Sequence, residues 1–158
     1  MAFKNIEISG ELVKFKASAA TKILYHQLFK TDMNDEISEY IKKNQNMQSV
    51  REALTKAQGM PDSDPGKAQA LADVLASKEY NDFLEFSKRF FSQFAYITYL
   101  EANEKEPRDV FAKLSKDEFL LWLMNYEAAD FYLNGQAFIS LWRENESHGS
   151  NPKNAAAR

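Results

Sequence analysis

A chain of 158 residues is the length of one ordinary domain with a core of its own. Its 44% hydrophobic and 13% aromatic content argues against disorder, because such a chain can bury enough apolar surface to offset the entropy of ordering. With 20 Lys and Arg against 23 Asp and Glu, the net charge is −3 and cysteine is absent, which speaks against nucleic-acid binding and excludes disulfides, thiol nucleophiles and cysteine-based zinc sites.

The first stretch predicts a hairpin over residues 3–16. Ile6 and Ile8 alternate with polar residues, Ser9-Gly10 offers a two-residue turn, and Val13 and Phe15 alternate with lysines. That turn pairs Ile8 with Glu11, Ile6 with Val13 and Lys4 with Phe15. Ile6, Ile8, Val13 and Phe15 then share one apolar face, while Asn5, Glu7, Lys14 and Lys16 take the other. A lone hairpin is marginal in water, so the apolar face must rest on a helix. Residues 18–145 read as helices. Ser18 is the candidate N-cap of the first, carrying Ile23, Leu24 and Leu28 up to Phe29. Met33, Ile37, Tyr40 and Ile41 mark a second, ended by the polar run Lys42 to Asn46. A third covers Gln48 to Ala57. Gly, Pro, Asp and Ser crowd the loop at 58–66, and Asp64 with Pro65 then opens a helix over Lys67 to about Ala76. Tyr80 to Ala102 carries the stripe Phe83, Phe86, Phe90, Phe94 and Ile97, the mark of a central bundle helix. Ser115 to Glu118 forms a capping box for a helix through about Tyr126. The last helix spans roughly Gln136 to Asn145, and residues 147–158 predict a flexible tail. The expected fold is therefore mainly α: one domain over residues 1–146, a helical bundle with an N-terminal β-hairpin and a disordered C-terminal tail.

Chemistry is harder to find. Asp62, Asp64 and Gly66 resemble a calcium loop, but the positions for a third oxygen ligand, a glycine and a terminal glutamate hold Gly66, Lys67 and Asp73. Gly66-Lys67 lacks both the upstream glycine of a phosphate loop, replaced by Met60-Pro61, and the hydroxyl after the lysine, where Ala68 stands. His26 sits on a helix with no companion ligand nearby in sequence, and Asp117-Glu118 fit the electrostatics of a helix N-terminus. No catalytic, cofactor or metal residues are expected. The start of the chain lacks the apolar segment of a secretory signal. Its longest apolar run, Phe119 to Met124, is far short of the ~20 residues that span a bilayer. The expected location is the cytoplasm.

Apolar surface is in surplus. The run Phe119 to Met124 is apolar nearly all round, so it is either buried or an interface. Phe138, Leu141 and Trp142, on the last helix before the tail, are the candidate partner contacts, with core packing as the alternative.

Three segments, in order, resemble the tail assembly chaperones of long-tailed bacteriophages and prophages, especially those of Gram-positive hosts. They are Ile8 to Phe29, with its Ala17-Ser-Ala-Ala-Thr21; the helix Phe94-Ala-Tyr-Ile-Thr-Tyr-Leu100 followed by Phe119 and Trp122-Leu123; and Ile139-Ser-Leu-Trp142 with the later Asn151-Pro152-Lys153. The resemblance leaves out Gln45 to Tyr80, which reads as an insertion. It implies a small helical protein of the bacterial cytoplasm, absent from the mature virion. Such a protein holds the tape measure protein soluble and helps recruit major tail protein around it. The family has no catalytic motif, so no enzyme, cofactor, nucleic acid or membrane is implied; self-association stays open. Many members are also made in a longer form by ribosomal slippage near the end of the gene, and Pro152-Lys153-Asn154 suits an A-rich slippery run. The competing reading is a small phage or bacterial regulatory or inhibitory module that masks one globular partner.

Overall fold

A computed structural model describes residues 1–149. The order is β1 (Ala2–Ile8), β2 (Glu11–Ala17), α1 (Thr21–Phe29), α2 (Met33–Asn46), α3 (Gln48–Gln58), α4 (Gly66–Leu75) and α5 (Lys78–Asn103). There follow α6 (Pro107–Ala112), α7 (Lys116–Leu123), α8 (Ala128–Tyr132) and α9 (Gly135–Gly149). The mainly helical fold with an N-terminal antiparallel hairpin is thus the one adopted. Contacts divide the chain into two compact units: Met1–Met33 with the chain from Lys88 onward, and Asn34–Ser87.

In the first unit the hairpin takes the predicted register, Ile8 opposite Glu11, Ile6 opposite Val13 and Lys4 opposite Phe15. Ser9 and Gly10 both have positive φ, 50° and 82°. This is the turn whose twist matches that of the strands. Ile6, Ile8 and Phe15 are buried, joined by Ala2 and Ala17. The helix that covers them is α9: Phe138 meets Phe15 edge-on at 5.1 Å between ring centroids, and Lys4 Nζ donates to Ser140 Oγ at 3.0 Å. On the outer face, Lys14 Nζ lies 4.5 Å from the centre of the Phe3 ring.

The entry to α1 differs from expectation. Ala20, not Ser18, stands at the N-cap and gives no side-chain bond. The Ser18 hydroxyl instead accepts from the Ala20 N–H at 3.1 Å, and Thr21 Oγ1 accepts from the Ser18 N–H at 2.8 Å. The hydroxyls therefore build a turn before the helix, two residues early for a cap. Leu24, Tyr25 and Leu28 face the core, and Tyr25 Oη donates to Gln93 Oε1 at 2.8 Å. Against them α5 buries Phe90, Phe91, Phe94, Ala95, Ile97 and Leu100, the later part of the stripe read from sequence.

The second unit has a small core of Met47, Val50 and Val74, against which Leu54, Tyr80 and Phe83 pack. Tyr40 stacks on Phe83 at 5.7 Å. Pro65, not Asp64, stands at the N-cap of α4; Asp64 Oδ1 accepts from the Gly66 N–H at 2.8 Å and builds the turn that leads into the helix. Ser77 separates α4 from α5, donating to the Val74 carbonyl at 2.8 Å and accepting from the Tyr80 N–H at 3.3 Å. The whole segment Gln45 to Tyr80, which the family resemblance leaves out, falls in this unit together with its flanks.

Boundaries shift where periodicity is a poor guide. Helix α2 continues through Lys42 to Asn46, since polar residues on a wet face do not end a helix. Sequence periodicity predicts neither α6 nor α8. They have six and five residues, too few for a 3.6-residue period to register. Pro107 at the start of α6 and the reciprocal cap of Glu127 and Asp130 on α8 are their local signals. Helix α9 runs through Ser147 to Gly149. The rest of the expected tail lies outside the described residues.

Candidate partner-binding face

Helix α7 begins where the sequence says it should. Ser115 has an extended backbone and its Oγ accepts from the Glu118 N–H at 3.2 Å. Asp117 and Glu118 occupy the first turn, where carboxylates favour the helix dipole. The inner side of α7 is aromatic. Phe119 is buried and meets Phe29 at 5.2 Å and Tyr96 at 5.3 Å. Trp122 is ringed by Tyr96 at 5.2 Å, Tyr99 at 5.4 Å, Tyr126 at 5.0 Å and Phe131 at 5.3 Å. Edge-on and tilted ring pairs of this kind add to simple area burial. They fix the rotation of α7 about its axis.

That rotation turns the remaining apolar side chains outward. Leu120, Leu121 and Met124 are 54%, 59% and 81% exposed. With Asp117 they follow the spacing i, i+3, i+4, i+7, so all four share one face. The Met124 N–H still donates to the Leu120 carbonyl at 3.0 Å, which keeps Met124 on it. Single exposed leucines are normal on any protein. Three large apolar side chains on one short face are not, and such a strip marks a contact surface. The surplus apolar surface anticipated in Phe119 to Met124 divides accordingly: Phe119 goes inward, and Leu120, Leu121 and Met124 go outward.

Phe138, Leu141 and Trp142 lie elsewhere. Phe138 and Leu141 have no exposed surface and Trp142 has 7%. Phe138 packs against Phe15, against Phe94 at 5.9 Å and against Phe91 at 6.3 Å, and Trp142 meets Phe94 at 6.4 Å. As partner contacts they are therefore corrected: of the two alternatives, the structure has the core. The helical stripe they form was legible, but what covers it is the hairpin and α5, brought there from far along the chain. The outward strip on α7 also had its signal in the spacing of 117, 120, 121 and 124, hidden by the apolar residues around it.

One half-buried carboxylate ties the first unit together. Ser18 Oγ donates to one oxygen of Glu101 on α5, and Thr21 Oγ1 donates to the other at 2.5 Å. Asn145 Nδ2 on α9 donates to the Ser18 carbonyl at 3.3 Å. Burial pushes the Glu101 carboxyl above the usual glutamate range, against the pull of the two hydroxyls and of Lys16. A carboxyl raised in the fold binds more protons folded than unfolded, so its contribution to stability falls as pH rises through the folded value. Glu101→Gln removes that titration. Relative to the parent, the variant is expected to gain stability as pH rises from acid toward neutrality, as read by urea unfolding at a series of pH values. A stability difference that stays constant with pH counts against this account.

Among the described residues no group of His, Asp and Glu is placed to hold a metal ion, and no helix is long and apolar enough to cross a membrane. No family model, curated protein or solved structure matches the chain.

Proposed function

We propose that this protein is a non-enzymatic tail assembly chaperone that binds the tape measure protein, keeps it soluble and helps recruit major tail protein during phage tail morphogenesis. The observation that carries the proposal is the outward strip of Leu120, Leu121 and Met124 on a helix whose rotation is fixed by the ring cluster around Trp122. A long helical substrate with apolar stripes aggregates until something covers it. Covering it takes many weak apolar contacts and no chemistry. Leucine and methionine side chains suit a substrate with many similar registers, because flexible side chains repack against each one. The resemblance of Ile8 to Phe29, Phe94 to Leu100 and Ile139 to Trp142 supplies the identity of the substrate.

The test is co-expression with the tape measure protein from the same genome. The expected result is that the tape measure protein moves into the soluble fraction and co-purifies with this chain. If it precipitates regardless, the reading falls, and the alternative, a regulatory module masking a globular partner, takes its place.

A further inference from the structure

The outward strip of α7 carries a charge as well as apolar surface. Asp117 lies on it, one turn before Leu120 and Leu121, and Glu118 borders it. Both are exposed, and neither is in an ion pair among the described residues. Beside Glu118 a cleft of about 250 Å³ is lined by Tyr99, Glu104, Lys113, Leu121 and Trp122. The cation in that cleft is already matched, since Lys113 Nζ is 2.5 Å from Glu104 Oε1. Lys116, on the opposite border of the strip, is the remaining positive group on this helix.

Carboxylates also add to the shifts of groups near α7. The Glu104 hydrogen bond holds the Lys113 ammonium charged beyond its usual range, with Glu104 and Glu118 adding to it. The Tyr96 phenol is pushed up by burial first and then by Glu118 and Glu104. Tyr126, on the far side of the cluster, is pushed up by burial and then by Tyr99, Glu11 and Asp130. Burial is the main cause for both tyrosines and the Glu104 hydrogen bond for Lys113, with nearby carboxylates adding to each. A second copy would bring two carboxylates and one cation, Lys116, to the pairing, a poorer electrostatic match than a cationic helix.

We infer that the α7 strip docks a cationic amphipathic helix, with Leu120, Leu121 and Met124 taking its apolar stripe and Asp117 and Glu118 taking its Lys or Arg side chains. The inference rests on the partner-binding proposal above and adds the chemistry of the segment bound.

The experiment titrates the full chain into two labelled helical peptides that share one leucine stripe, flanked in one by lysines and in the other by glutamates. Fluorescence anisotropy reads binding. The lysine peptide is expected to bind about tenfold tighter at low salt, a preference that shrinks as salt is added. Asp117→Asn with Glu118→Gln is expected to remove most of the preference while the protein stays folded, its thermal unfolding lowered only by the small loss of helix-dipole stabilisation. Equal affinities, a preference for the glutamate peptide, no binding of either, or a lysine preference that survives the double variant each overturn the inference. So does sedimentation showing a dimer that Leu121→Gln dissociates, which assigns the strip to a second copy. The two proposals fail separately. Tape measure protein held soluble equally by the parent and by the double variant sinks the charge inference alone. Tape measure protein that precipitates with the parent, while the lysine preference holds, sinks the chaperone proposal alone.

Discussion

Phe138→Ala is expected to cost about 3–5 kcal/mol, the usual range for emptying a phenylalanine site that cannot collapse. The site is closed by Phe15 from the hairpin and by Phe91 and Phe94 from α5, so removing the ring leaves three others facing a void. The backbone has little freedom to fill it. Gly135, at the start of α9, sits so close to α5 that a Cβ there would lie 2.7 Å from Phe91 Cε2, and α9 has no room to move inward at that end. For a chain of this size the loss corresponds to a fall in melting temperature of roughly 6–20 °C. Thermal unfolding followed by circular dichroism checks it. A variant as stable as the parent would mean that Phe138 is not core, and would return it to the candidate partner contacts. Trp142→Ala tests the same packing through Phe94.

The hairpin was readable because its information is local. Alternating side chains and the Ser9-Gly10 turn determine which residues pair, and no distant contact is needed to choose the register. The central stripe of α5 was readable for the same reason, as was the Ser115 cap of α7. What the sequence withheld is what covers each stripe. Phe138, Leu141 and Trp142 look from sequence like any apolar helix face. Their burial depends on β2 and α5, tens of residues or more away along the chain. The Phe119 to Met124 run has the opposite problem: it is apolar all round, so periodicity cannot say which side turns inward. The answer comes from Trp122, held among Tyr96, Tyr99, Tyr126 and Phe131, which belong to two other helices and a turn. The Glu101 clamp was illegible for the same reason, since its two hydroxyl partners lie 80 and 83 positions away. Ser18 reads as a cap because the sequence shows the hydroxyl and not the carboxylate it meets.

The second large effect should appear without any loss of fold. Leu120→Gln, Leu121→Gln and Met124→Gln together keep side-chain length, add no charge and retain good helix propensity. All three side chains are more than half exposed, so each change is expected to alter stability by no more than about 0.5 kcal/mol. Binding is different. Each apolar side chain loses about 1 kcal/mol of burial against the partner, and three together amount to roughly a hundredfold in affinity. In co-expression with the tape measure protein, the triple variant should be as soluble and as folded as the parent, while the tape measure protein returns to the insoluble fraction. This pattern is the mirror image of Phe138→Ala, which attacks the fold and reaches the partner only through unfolding. The comparison therefore separates a contact surface from a structural one. If the triple variant still carries the tape measure protein into solution, α7 is not the docking face, and the apolar strip is surface without a role in binding. If it fails to do so while its unfolding curve overlays that of the parent, the contact is on α7, because no other part of the protein has been changed.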